Sequence, residues 1–193
     1  MARIHPAVTT WRAALIARIG AMHRMWIRGV ADLTVAQVNH VERAAVLPIA
    51  FTLVHYVRGE DTNASRVFDQ SGTRWDAHAA KIGFKGEVPV RGSSMAIASA
   101  VRIGDMDAWR AYQTAVFERT EAMLHALAPR DLETLMFDGL RPDGLETSFI
   151  ELLVPSGPLC RGDLVEAWIY QHGIRHIGEL EHARALVGLG GLS

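Results

Sequence analysis

Residues 47–58 read LPIAFTLVHYVR, a stretch with almost no polar side to turn toward water. Wound at 3.6 residues per turn, Ile49, Ala50, Phe51, Leu53, Val54 and Val57 cover nearly every face, so a helix here must be enclosed by other elements. Pro48 fits the first turn of such a helix, where its missing amide hydrogen has no helical partner; a helix begun earlier would be kinked there. A single imidazole, His55, interrupts the run.

The rest of the chain supplies helices that can surround this one. Leu15, Ile19, Met22, Trp26 and Val30 recur at spacings of three and four, which predicts a first helix from Val8 to Gly29, with Gly29 as its stop signal. Thr34 with Gln37 forms a capping-box signature that opens a short helical turn over Val35 to His40. The second long helix covers Leu47 to Arg58. From Asp61 to Gly104 periodicity weakens and Gly72, Gly83, Gly86, Pro89, Gly92 and Gly104 punctuate the chain, as in a long connection with short helical pieces. Trp109, Tyr112, Val116, Met123 and Leu127 mark the third helix, with Asp105 as N-cap and Pro129 just beyond its end. Ser148 to Val154 reads as a short strand or an extended strap before the last helix. That helix runs from Asp163 to Val187 on the stripe Val165, Ile169, His172, His176, Leu180, Ala183 and Val187, and Gly188 ends it. With no repeat, linker or low-complexity tract in its 193 residues, the chain reads as one all-α domain spanning residues 1–193. The expected architecture is a four-helix bundle with long crossover connections.

Composition narrows the partners. A formal charge of -1 gives no electrostatic reason to expect nucleic acid or an anionic membrane. Arg3, Arg12, Arg18, Arg24 and Arg28 all precede the first acid, Asp32, a pattern shared with organelle transit peptides, but the apolar stripe through the same residues favours an ordinary first helix. The longest uncharged apolar run, Ala44 to Val54, is too short to span a bilayer. Cys160 is the sole cysteine, which rules out an internal disulfide and fits a reducing cytoplasm; it reads as a bland thiol rather than a nucleophile.

Chemistry concentrates in the histidines. His172 and His176 are four apart on the predicted core side of the last helix, so their imidazoles can reach one divalent ion. His55, buried on an all-apolar helix, is suited to supply a third ligand, because little else there would satisfy its ring nitrogens. Three histidines would leave coordination positions open, the arrangement of a catalytic metal site. With nine histidines in the chain, an i, i+4 pair also arises by chance. The spacing therefore leaves three readings open: a metal site, hydrogen-bonded core histidines, or surface histidines. Glu179 could orient His176 or carry a proton, or merely pair with Arg175 on a solvated face. Glu60 and Asp61 sit where the second helix should end and read as solvated loop residues, with a pocket rim as the sharper alternative. Trp75 and Trp168 read as core before pocket. His182 falls off the ligand face, and His5, His23, His40, His78 and His125 have no partner at a ligand spacing. No P-loop, dinucleotide fingerprint, nucleophile elbow or zinc-finger pattern is present.

The segments LTVAQVNH, IAFTLVHYVRGED and HGIRHIGEL, in that order and followed by a glycine-rich tail, resemble the DinB-like (YfiT-like) superfamily. The resemblance implies a four-helix bundle, commonly homodimeric. It also implies a metal site made by one histidine of the second helix and two residues four apart on the last, which here are His55, His172 and His176. Members include enzymes that transfer low-molecular-weight thiols such as mycothiol or bacillithiol, and mycothiol-dependent maleylpyruvate isomerases. The isomerase-like branch often carries Glu at the first of the two last-helix positions, where this chain has His172. The expectation is thus a cytoplasmic, metal-dependent thiol transferase that acts on a small molecule with bound Zn or Ni, with hydrolysis by metal-bound water as the runner-up chemistry. The alternative is a non-catalytic metal- or ligand-binding stress-response bundle.

Overall fold

The computed structural model describes residues 11–90, 92–139 and 149–192. The elements follow in the order α1 (Trp11–Ala31), α2 (Val35–Val38), α3 (Ile49–Ala64), α4 (Trp75–Ile82), α5 (Met95–Ala100), α6 (Met106–Ala126), β1 (Leu135–Phe137), α7 (Phe149–Leu153), β2 (Leu159–Cys160), α8 (Arg161–Leu164) and α9 (His172–Leu186). A π-helical turn, Ser65–Asp69, closes α3, and a longer one, Val165–Gln171, joins α8 to α9. Among the described residues the fold is all-α with one small antiparallel pair of strands, β1 with β2. The long helices pack as α1 on α6, α3 on α9, α1 on α9 and α3 on α6. No described helix is long and apolar enough to cross a membrane.

Sequence signals translate directly into several elements. The stripe Leu15, Ile19, Met22, Trp26 and Val30 is fully enclosed, and α3 contributes Leu53, Val54 and Val57 to the same core. Burying each such side chain contributes about 1.5–3 kcal/mol. Thr34 and Gln37 form the capping box of α2, and the Asp105 carboxylate accepts from the amides of Asp107 and Ala108 at the start of α6.

Other expectations need correction. The expected start of α1 at Val8 lies outside the described residues, and its end is Ala31, not Gly29. Gly29 serves close packing: a Cβ there would lie 2.8 Å from Leu180 of α9. Pro48 caps α3 rather than entering it. That helix runs past Arg58 to Ala64, because Glu60 and Asp61 find buried partners on α1 and α6 and so extend the helix instead of ending it. Phe149–Leu153 is helical, not a strand or strap, with Ile150 turned into the core; Ser148 lies outside the described residues. The short strand before the last helix is Leu159–Cys160. The last helix is not one continuous α-helix, and the π-helical turn shifts its phase, so that Gly173, His176, Ile177 and Leu180 face inward.

Candidate metal centre

The site lies where α3 meets α9. His55 is in the fourth residue pair of α3, half-buried, and Phe51 stacks on its ring at 5.4 Å. The π-helical turn ends at Gln171, so His172 and His176 occupy the first and second turns of α9. Gly173 lets these turns approach: a Cβ there would lie 2.2 Å from Met22 Sδ and 2.6 Å from the Tyr56 hydroxyl. Any side chain at that position would push the histidines away from α3.

The three imidazoles converge. One nitrogen from each lies within 4.8 Å of the others. His55 Nε2 and His172 Nε2 are 3.3 Å apart. The ring planes cross at 81° for His55 with His172, 78° for His55 with His176 and 81° for His172 with His176, so the rings meet edge-on rather than stacking. Two nitrogens held ~2.0–2.1 Å from one tetrahedral ion would be about 3.3–3.4 Å apart, so the existing separation fits a shared ion. The three imidazoles lie close enough together that they could hold a metal ion.

Its electrostatics favour the neutral, lone-pair form. Burial first, then the His176 ring, lowers His55 to about 4 against an opposing pull from Glu179. Burial and the two neighbouring imidazoles, with Arg175 adding to them, lower His172 to about 3. His176 Nδ1 is 2.5 Å from Glu179 Oε2, which leaves its Nε2 free of that carboxylate. This carboxylate–imidazole contact is the usual device for fixing the tautomer and direction of a metal-ligating ring. The His176 hydrogen bond, outweighing partial burial, holds the Glu179 carboxyl below its usual range.

The remaining sequence candidates are placed elsewhere. Trp75 is core, Trp168 is half-buried against Phe137, and His182 is exposed. Burial and Asp163 push the Cys160 thiol up, away from thiolate chemistry. His5 lies outside the described residues. Glu60 and Asp61 are not solvated but fully enclosed. Glu60 accepts a very short hydrogen bond from Tyr56, and its carboxylate faces His23 Nε2 at 3.0 Å. His23 Nδ1 lies 2.7 Å from Glu121, and Phe117 stacks on the ring at 4.1 Å. Burial opposes a charge on His23, yet its contacts with Glu60 and Glu121 prevail and raise its pKa above 6.5. Asp61 accepts from Arg119 at 3.1 Å, from the Tyr112 hydroxyl at 3.1 Å and from the Arg74 amide at 2.7 Å. Sequence reasoning missed His23, whose partners lie 37 and 98 residues away. One available signal was its place beside Met22 on the buried stripe of α1.

No protein-family model matches the chain, and no curated protein matches its sequence. The fold is similar to the crystal structure of a conserved protein from Enterococcus faecalis, with a TM-score of 0.71 over 93% of this chain and 98% of the other at 16% identity. At that identity the likeness shows a shared fold.

Proposed function

We propose that this chain is a divalent-metal-dependent enzyme of the thiol S-transferase type, in which His55, His172 and His176 hold the ion. The reading includes a DinB-like four-helix bundle, with α1, α3, α6 and α9 as its helices. The observation that carries it is the meeting of three imidazole edges at one point, with two Nε2 atoms 3.3 Å apart and, among the described residues, no acid inside the ring of donors. When bound, a divalent ion supplies Lewis acidity, which favours a thiolate over its thiol near neutral pH. The chain's own residues do the rest. Neutral His55 and His172 offer lone pairs, Glu179 orients His176, and Phe51 walls the cluster on the α3 side. Imidazole donors suit Zn and Ni alike. Following the family resemblance, the proposal extends to a cytoplasmic homodimer acting on a small-molecule electrophile.

Elemental analysis of protein purified without chelators tests the metal: close to one Zn or Ni per chain is expected, lost when His172 and His176 are both changed to Ala. Metal-free wild-type protein from such a preparation would sink the site. Incubating the metal-loaded protein with a panel of low-molecular-weight thiols and an electrophile tests the transfer by mass spectrometry. No conjugate above a metal-only blank, with metal retained, would make this a binding protein instead. Light scattering on the eluting protein tests the dimer, expected at twice the 21.2 kDa chain mass.

A further inference from the structure

Several neighbours of the histidine cluster close it off. Phe51 stacks on the His55 ring, the Tyr56 ring meets His172 at 5.6 Å and His176 at 6.4 Å, and Glu179 takes His176 Nδ1. Along α3, Phe51 and Gly59 stand four residues before and four residues after His55, on the same half-buried side of the helix. One of these positions sets an aromatic ring against the imidazole. The other carries no side chain at all.

Gly59 is a costly choice for that position. Glycine inside a helix lowers stability relative to alanine, because it gives up more backbone freedom on folding. Neither the backbone nor the packing asks for it here. Its φ is negative, as a helix interior requires of any residue. Among the described residues, the only atoms within 4 Å of a Cβ there would be His172 Cε1 at 3.4 Å and Nδ1 at 3.9 Å, both ordinary van der Waals separations. Gly29 and Gly173 are the contrast, since a Cβ there would lie 2.8 Å from Leu180 and 2.2 Å from Met22 Sδ. Gly20 and Gly178 also stand inside helices with room for a Cβ, but at neither would it meet an atom of the cluster. Gly59 alone of these five leaves bare helix beside the edge of a half-buried cluster ring.

We propose that Gly59 is a specificity-determining residue, whose missing side chain leaves the opening by which a small ligand reaches an ion held by His55, His172 and His176. The proposal rests on the metal reading above. It explains why a position that would accept alanine keeps the less stable residue: the helix gives up some stability to leave the cluster open on one side. The gap is one side chain wide, so it admits a slender thiol more readily than one branched beside its sulfur. A larger residue at 59 would bar the ligand without removing any of the three donors.

The test is titration of the cobalt-loaded protein with 2-mercaptoethanol, followed by the sulfur-to-cobalt charge-transfer absorption. Gly59→Leu is expected to keep cobalt affinity within about twofold of the wild type and to weaken thiol binding about tenfold or more, with Gly59→Ala between the two. Gly59→Ala should also raise the melting temperature by about 2–4 °C, so that stability and ligand access move in opposite directions. Equal thiol binding in all three proteins overturns the proposal while leaving the metal reading intact. So does a Gly59→Leu variant that loses cobalt and thiol binding alike, or a Gly59→Ala variant that melts lower than the wild type. If the wild type takes up no cobalt, the metal reading fails separately. Acylation of His172 by diethyl pyrocarbonate in the metal-free chain, located by mass spectrometry, then decides: a rate cut about tenfold or more by Gly59→Leu supports the opening, and an equal rate overturns it.

Discussion

Within a single helix, α3 carries two groups of ionisable side chains that differ in kind. At Glu60 and Asp61 opposite charges meet in full enclosure, with Arg119, His23, Tyr56 and Tyr112 answering the two carboxylates. At His55, little more than one turn earlier, three like groups meet, half-open, and among the described residues only Glu179 at the rim carries an opposing charge. Taking a carboxylate out of water costs several kcal/mol, so a buried acid persists only where partners offset it, as they do at Asp61 and, apart from an Oε1 that accepts no hydrogen bond, at Glu60. Converging imidazoles can share a ring hydrogen between two nitrogens, as the 3.3 Å contact of His55 with His172 allows, but three of them leave a lone pair over that a metal ion could take. The comparison separates polar residues that the fold supplies with opposite charges from a cluster of like groups that could take a metal ion.

The sharpest way to break this distinction is at Arg119. Arg119→Met leaves the buried Asp61 carboxylate without its cation and should destabilise the protein by about 3–5 kcal/mol in urea denaturation, with or without zinc. A loss below ~1 kcal/mol would show that Asp61 is not structural in the sense argued. The histidine cluster should behave in the opposite way. Changing His172 and His176 together to Ala should cost little in metal-free protein. The variant should, however, forgo the stabilisation that zinc gives the wild type, about 2.7 kcal/mol at a hundredfold excess over Kd. Equal zinc stabilisation of both proteins would place the ion elsewhere.

The two groups also differ in how far the sequence revealed them. His55 was legible because an all-apolar helix leaves an imidazole no local partner, and His176 because it shares the phase of Leu180 on one periodic stripe. The first-helix stripe and the Asp105 cap were legible for a similar reason: both signals lie within a turn or two of chain. Glu60 and Asp61 were not, since the residues that make their burial tolerable come from positions 23, 112 and 119. Local reasoning could only see acids at an expected helix end. The π-helical turn before His172 was hidden as well, because helical periodicity carries no mark of where a turn widens.

Acidity sharpens the contrast with opposite signs. Between pH 6.5 and about 4 the unfolded chain carries protons on His55 and His172 that the folded, metal-free chain lacks, so their contribution falls as pH drops through that window. His23 runs the other way. Its folded pKa is raised, so its contribution is fully present below 6.5 and is lost as pH rises through the folded value. Stability measured against pH should therefore lose acid-side slope in His172→Gln, on the order of 2 kcal/mol across the window once solvent screening of the half-buried ring is allowed for. His23→Gln should instead change the neutral-to-alkaline slope. Identical profiles for the two variants would remove the distinction between the groups.

The smallest effect is expected at Glu179, where the two groups come closest in character, since among the described residues it is the one acid that touches the histidine cluster. Its carboxylate meets His176 Nδ1 at 2.5 Å but remains about half exposed, at 54% of its side-chain surface. Outer partners of this kind typically change metal affinity by 10- to 100-fold, and the exposure places Glu179 at the low end. Glu179→Gln should thus weaken zinc binding about tenfold in a chelator competition, because the amide can still accept from Nδ1 but no longer favours a cationic centre. Glu179→Ala, which releases the ring as well, should weaken it further. Unchanged affinity in both variants would make Glu179 a surface residue that happens to meet His176, and the orientation of His176 would then rest on the packing of α9 against α3 alone.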